Sequence, residues 1–154
     1  MDYSVFETPP LNFRPAVEVA GCYLECDHRL LLLKRHPEKP QGNKWGVPAG
    51  KMEKNETPLQ TVIREVDEEI GVNIHTPETK YMGHLYCRLP HVDYVFHMFY
   101  HKVLILPKIK LELSEHVEMQ WVTPKEALTY PLMAGAIEAL AFYEQFLKNS
   151  LLGT

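Results

Sequence analysis

The stretch that most limits how this chain can fold is Thr57–Gly71, TPLQTVIREVDEEIG, because both ends of a helix are written in its side chains. Threonine is a good N-cap, Pro58 suits the first helical position, and Gln60 stands three residues after the cap, where it completes a capping box. Leu59, Val62, Ile63, Val66 and Ile70 recur at helical spacing and form one apolar stripe. Gly71 follows the last of them and can take the left-handed conformation that ends a helix. The pattern predicts a helix over Pro58–Ile70 with its apolar face on a core.

The same helix breaks an electrostatic rule. Its one cation, Arg64, stands against Glu65, Asp67, Glu68 and Glu69. Glu65, Glu68 and Glu69 lie at i, i+3 and i+4 and share a face; at about 100° per residue, Glu65 and Glu69 border the apolar stripe and Glu68 lies further out. Like charges at these spacings cost about 0.2–0.5 kcal/mol per pair. Acids in the C-terminal half also oppose the helix dipole. Over Gly50–Val72, Lys51, Lys54 and Arg64 face Glu53, Glu56, Glu65, Asp67, Glu68 and Glu69, so most of the chain's formal charge of −4 is concentrated there. A helix that keeps its caps and stripe but crowds its acids points to a site. A hard divalent cation would welcome such carboxylates, since magnesium takes oxygen ligands and keeps waters for substrate phosphates. For an arbitrary Glu-x-x-Glu-Glu the alternative is a solvated acidic face.

The spacing around the helix is more specific. Gly50, five residues, Glu56, seven residues, then Arg64-Glu65-Val66-Asp67-Glu68-Glu69-Ile70-Gly71-Val72 match Gly-x5-Glu-x7-Arg-Glu-U-x-Glu-Glu-x-Gly-U, where U is aliphatic, at every defined position. This is the Nudix box, and the chain resembles the Nudix hydrolase family. Trp45-Gly46-Val47-Pro48-Ala49 before the box and Glu115-His116 with Trp121-Val122 after it are also similar to the family; Ala49 departs from it, since many members carry glycine there.

The resemblance implies an α/β fold, the Nudix α/β/α sandwich with a mixed sheet between helices, as one domain over 1–154. It implies hydrolysis of a nucleoside diphosphate linked to a group X, with Mg2+ as cofactor and Mn2+ as a substitute. Glu65 and Glu69 are the implied metal ligands, Glu68 a third ligand or the general base, and the Gly50 carbonyl a further ligand. Glu56 is either a metal ligand through water or the structural partner of Arg64, whose guanidinium can fork onto carboxylates. Glu115, outside the box, is a candidate ligand or general base, with Glu118 second to it. Arg35, Lys44 and Lys51 are candidate contacts for substrate phosphates, against a plain solvated surface. The expected partner is a small-molecule nucleotide or other diphosphate substrate, with a nucleoside triphosphate or nucleotide sugar preferred; a homodimer is left open. Three rival readings stand beside this one: a non-catalytic nucleotide sensor, an isomerase on the same fold using a cysteine such as Cys87, and an acidic helix with no site.

Composition narrows the class. A chain of 154 residues can bury a real core. Its mild negative balance provides no basic footprint for duplex nucleic acid. Cys22, Cys26 and Cys87 form no Cys-x-x-Cys pair and read as reduced thiols in a cytoplasmic protein. The N-terminus shows no signal-peptide pattern, and no apolar run approaches the ~18 residues of a membrane span.

Along the chain, residues 1–14 read as an irregular lead-in. Ala16–Cys26 and Arg29–Arg35 read as a hairpin about Asp27-His28, with Leu30–Leu33 buried on both faces. His36–Lys44 is a polar loop, read either as a gate or contact for the substrate or as a plain connection. Trp45–Pro48 is a short strand, with Trp45 in the core. After a loop through His75-Thr76-Pro77, Lys80–Leu89 and Val92–Leu106 read as long strands; His97 and His101 share a face as packing or substrate-edge residues. A strand over Val117–Val122, a short helix over Pro124–Leu128 and a helix over Leu132–Lys148 complete the reading, with a fraying tail at 149–154.

Overall fold

A computed structural model describes residues 1–75 and 77–152. Thr76 of the expected loop and the last two residues of the expected tail lie outside them. The elements in order are β1 (Ser4–Phe6), β2 (Pro15–Cys26), β3 (Arg29–Arg35), β4 (Trp45–Gly46), β5 (Ala49–Lys51), α1 (Pro58–Ile70), β6 (Thr79–Leu89), β7 (Val92–Val103), β8 (His116–Val122), α2 (Pro124–Ala127) and α3 (Ala136–Leu152).

One mixed sheet runs β1-β6-β7-β2-β3-β4, with β5 added to β2 and β8 to β3. Its parallel pair is β2 with β7; the other pairings are antiparallel. Alternation along the strands sends side chains to two separate cores. Leu31 and Leu33 join Ala20, Cys22 and Leu24 under Val62, Val66 and Ile70 of α1. Leu30 and Leu32 join Tyr23 and Met98 on the opposite face, under Leu140 and Tyr143 of α3. An unbroken Leu30–Leu33 run is what a strand covered on both sides requires. The result is the expected α/β/α sandwich. No helix among the described residues is long and apolar enough to cross a membrane.

α1 has the predicted limits. Thr57 Oγ1 accepts from Gln60 N at 3.1 Å and Gln60 Oε1 accepts from Thr57 N at 2.9 Å, closing the capping box. Gly71, at φ +68°, ends the helix with its N–H on Asp67 O.

Several boundaries differ from expectation, each because a distant partner decides them. The lead-in is not wholly irregular, since Ser4–Phe6 pairs with Tyr86–Arg88 of β6 as a sheet edge. Trp45–Pro48 is not one strand: Trp45 pairs with β3, while the chain from Ala49 switches to β2. β7 stops at Val103, the last residue with a partner on β2, and Leu104–Leu106 turn outward. α3 starts at Ala136 instead of Leu132, because Leu132 bridges to Trp45 and Gly135 sits at φ +86°. It runs on to Leu152, so residues 149–152 are helical.

An ion pair pins the N-terminal segment to the sheet. Asp93 accepts from Arg88 Nε at 2.8 Å and from Arg14 N at 2.9 Å, while Arg88 Nη2 donates to Asn12 O at 3.1 Å. The Arg88 guanidinium, with the Arg14 amide, holds the Asp93 carboxyl down at about 2. A depressed carboxyl stabilises the fold above its unfolded value and loses that contribution as pH falls through the folded one. Asp93→Asn is therefore expected to melt below the native protein at pH 7 and to converge with it towards pH 2, as followed by thermal melts across that range.

Candidate active site

Gly50–Val72 folds as a loop and α1, with the acids of the helix against the sheet edge formed by β5. Glu56 and Arg64 close the loop onto the helix. Glu56 Oε2 accepts from Arg64 Nε at 2.7 Å, and Oε1 accepts from Arg64 Nη2 at 2.9 Å, Thr61 Oγ1 at 2.8 Å and Glu53 N at 2.9 Å. Arg64 thus forks onto Glu56, and its hydrogen bonds hold that carboxyl at about 2. With its lone pairs so occupied, Glu56 acts as the structural partner of Arg64. The arginine also reaches Lys51 O at 3.1 Å, tying β5 to the helix.

The three glutamates occupy different environments. Glu69 is 6% exposed. Its Oε2 accepts from Ala49 N at 3.2 Å, and its other oxygen has no hydrogen-bond donor among the described residues. Burial, then the nearby charge of Glu65, pushes its carboxyl well above the ordinary carboxylate range. Glu65 is half-buried and accepts from Arg64 Nη1 at 2.6 Å; burial raises its carboxyl in spite of that arginine. Its carboxylate lies against Gly50 so closely that a Cβ on residue 50 would overlap it. Glu68 is 57% exposed and reaches back to Arg64 Nη1 at 3.3 Å. The structure brings Glu65 and Glu69 together beside Ala49 and Gly50 and leaves Glu68 outside.

Glu115 is delivered to the same place from a distance. The connector after β7 is anchored on the last turn of α1, with Lys110 N donating to Ile70 O at 2.9 Å and Glu112 N to Glu69 O at 3.0 Å. Glu115 follows, its Oε1 accepting from Lys39 Nζ at 3.1 Å. Its charge contributes to raising the carboxyls of both Glu65 and Glu69. Glu118 is exposed and pairs with Lys34 at 3.7 Å, away from this group.

As the side chains stand, no three acids, histidines or cysteines among the described residues are arranged to hold an ion. The donor set nevertheless fits one. Two carboxylates that burial and mutual repulsion make costly to ionise, one of them with an oxygen lacking a donor, are relieved by a hard cation.

A cleft of about 360 Å3 opens beside these carboxylates on the α3 side of the sheet. Val17, Val19, Tyr94 and Phe96 line its sheet wall, Leu132 and Met133 the other. Arg35, Ala49, Gly50 and Lys51 line it towards the acids. Arg35 donates Nε to Pro40 O at 2.8 Å, and Lys51 is exposed. Lys44 is exposed and does not line the cleft. Cys87 lines it, and burial lifts its thiol to about 11, which disfavours the thiolate that the isomerase reading would need. His101 Nδ1 is hydrogen-bonded with Thr79 Oγ1 at 2.9 Å and His97 Nε2 with Glu18 Oε1 at 2.7 Å, and neither histidine lines the cleft. Two further residues line the cleft: Gln41, inside the polar loop His36–Lys44 but not marked there as a single residue, and His116, marked in the sequence only as part of the flank Glu115-His116 with no role attached.

Known proteins resemble this chain in sequence and in fold. The NUDIX domain family model matches residues 14–146. The CTP pyrophosphohydrolase of Escherichia coli (strain K12) is 29% identical over 126 residues, covering 80% of this chain and 88% of that protein. The 8-oxo-dGTP diphosphatase of Proteus vulgaris is 36% identical over 55 residues, covering 36% of this chain and 49% of that protein. Among solved structures, the MutT protein from Methanosarcina mazei Go1 superimposes with a TM-score of 0.74 at 23% identity, covering 89% of this chain and 96% of that one.

Proposed function

The chain belongs to the NUDIX domain family, and on that premise we propose that it is a Mg2+-dependent hydrolase cleaving the diphosphate linkage of a nucleoside diphosphate joined to a group X, with nucleoside triphosphates or nucleotide sugars preferred. With every acid of the box in place it is a Nudix pyrophosphohydrolase. The substrate preference draws on relatives named for CTP and 8-oxo-dGTP. The observation that carries the proposal is the pairing of buried Glu69 with half-buried Glu65 in the field of Glu115.

Glu65 and Glu69, with the Gly50 carbonyl, would hold the ion. A bound divalent cation offsets the charge of the diphosphate and lowers the pKa of the attacking water. The chain's own residues do the rest. Arg64 orients Glu65 through the 2.6 Å hydrogen bond. Arg35 and Lys51, at the acid end of the cleft, meet the substrate phosphates. Glu115, its geometry set by Lys39, accepts the proton of the attacking water, with Glu68 as the second candidate for that role. The apolar cleft takes the nucleoside.

A panel of nucleoside triphosphates, nucleotide sugars and dinucleotides, assayed with Mg2+ and products identified, is expected to yield a nucleoside monophosphate from at least one of them, and EDTA to stop the reaction. Tight binding of one nucleotide with turnover of none would instead support the sensor reading.

A further inference from the structure

The cleft is mostly apolar away from the acids, and Gln41 and His116 are among the polar side chains that interrupt it. Gln41 lines it and is held from both ends of its geometry. Its backbone takes φ +56°, and the loop around it is closed by Arg35 Nε on Pro40 O at 2.8 Å, Asn43 N on Arg35 O at 3.0 Å and Lys44 N on Gln41 O at 3.2 Å. Its side-chain Oε1 accepts from Ala134 N, on the opposite lip of the cleft, at 2.7 Å. An amide N–H can only donate, so this contact fixes which end of the carboxamide is oxygen. The other end, Nε2, has no acceptor among the described residues.

His116 is the second. It is 5% exposed, it lines the same cleft, and its buried Nδ1 has no hydrogen-bond partner. No hydrogen bond is made by its other ring nitrogen to any described residue. Buried polar groups in native proteins are nearly always paired, so an unpaired nitrogen on a residue that lines a cleft marks a polar group that a turn of the ring could present to a ligand or water. Arg35 stands between the two, bonded to Pro40 on one side and opposite His116 in the β3–β8 ladder on the other. A substrate whose phosphates meet Arg35 therefore passes both polar groups.

We infer that Gln41 selects the base of the substrate: clamped by Ala134, its Nε2 donates to a carbonyl oxygen on a planar heterocycle, and His116 serves a second polar atom on the same edge. The inference rests on the hydrolase reading above. A donor fixed in an apolar wall discriminates well, because an amino group in place of the carbonyl leaves two donors facing each other. Adenine, the nucleobase without a carbonyl, is the disfavoured case.

Inosine and adenosine triphosphates differ at this point, 6-oxo against 6-amino, and make the test. The native protein is expected to favour ITP over ATP by about tenfold in kcat/KM, the size of one such hydrogen bond, with the difference in KM. In Gln41→Glu an oxygen can still accept from Ala134 while the free end turns from donor to acceptor, so the ratio should fall to one or reverse. Gln41→Met should bring ITP down to the ATP level. Thermal melts confirm that the variants are folded; a residue that merely shaped the loop would lower both substrates alike. A native ratio near one, or ratios in both variants within about twofold of a native preference, would overturn the role of Gln41 and leave the hydrolase standing. A native protein that turns over no nucleotide at all removes the hydrolase reading and this inference with it.

Discussion

Glu69→Gln is expected to lower kcat by at least about 100-fold while the protein stays folded, because loss of a ligand charge affects metal chemistry more than loss of an outer partner does. Glutamine keeps the shape and can keep the bond from Ala49 N, so the change is one of charge. Stability should move the other way. Burial raises the Glu69 carboxyl, so the folded state holds its proton more tightly than the unfolded chain. A carboxyl raised in this way loses stability for the metal-free fold as pH climbs from the ordinary 4.5 towards the folded value, and the loss persists above it. Metal-free Glu69→Gln should accordingly melt at or above the native protein at pH 7. Added Mg2+ should raise the melting temperature of the native protein and leave the variant nearly unchanged. Full turnover in the variant would remove Glu69 from the site.

The second large effect is expected from the smallest change. Gly50→Ala places a methyl group where the Glu65 carboxylate lies. Neither side can yield easily: Gly50 is paired with Ala20 in the β2–β5 ladder, and Glu65 is held by Arg64 at 2.6 Å on a helix capped at both ends. Overpacking of this kind costs about 1–3 kcal/mol. Glu65 must also turn out of its place, so kcat should fall by at least about tenfold, since small displacements of catalytic groups are expensive. Denaturant melts and turnover measured together check both halves. An alanine variant of native stability and activity would show that the close approach of Gly50 to Glu65 is not required.

What was legible in the sequence was what is decided locally. The limits of α1 follow from Thr57, Pro58, Gln60 and Gly71, whose partners are all within a few residues. The Leu30–Leu33 run announced a strand covered on both sides because an unbroken apolar run leaves neither face for solvent, although the helices that cover it lie far along the chain. The edge strand Ser4–Phe6 was hidden because three residues carry no period, and their partners lie some eighty positions away. The division at Trp45–Lys51 was hidden because β3 and β2 compete for one short segment. Within the site, helical spacing placed Glu65, Glu68 and Glu69 on one face, and the wheel put Glu68 furthest out. It could not supply the burial that separates Glu69 from Glu68, which comes from the neighbouring β5 and the connector after β7. Gln41 and His116 gain their meaning from Ala134 and from a cavity, neither of which a linear pattern records.

The anchoring of the connector on α1 has a consequence for how such a chain can vary. Glu115 is separated from the box by more than forty residues, yet its position is set from both sides: two amides before it sit on carbonyls of the helix's final turn, and its own carbonyl accepts from His36 N at 2.9 Å beside the β3–β8 ladder. Length added upstream of Lys110, around the outward-facing Leu104–Leu106, would be taken up as slack, and the reacting groups would keep their spacing. A single residue added between Glu112 and Glu115 would have no slack to enter, because the chain is pinned to α1 before it and to His36 and β3 after it, and the turn that carries the acid would have to bulge. The molecule thus tolerates drift in one half of a connector and resists it in the other, a boundary drawn by hydrogen bonds at both ends of a short turn.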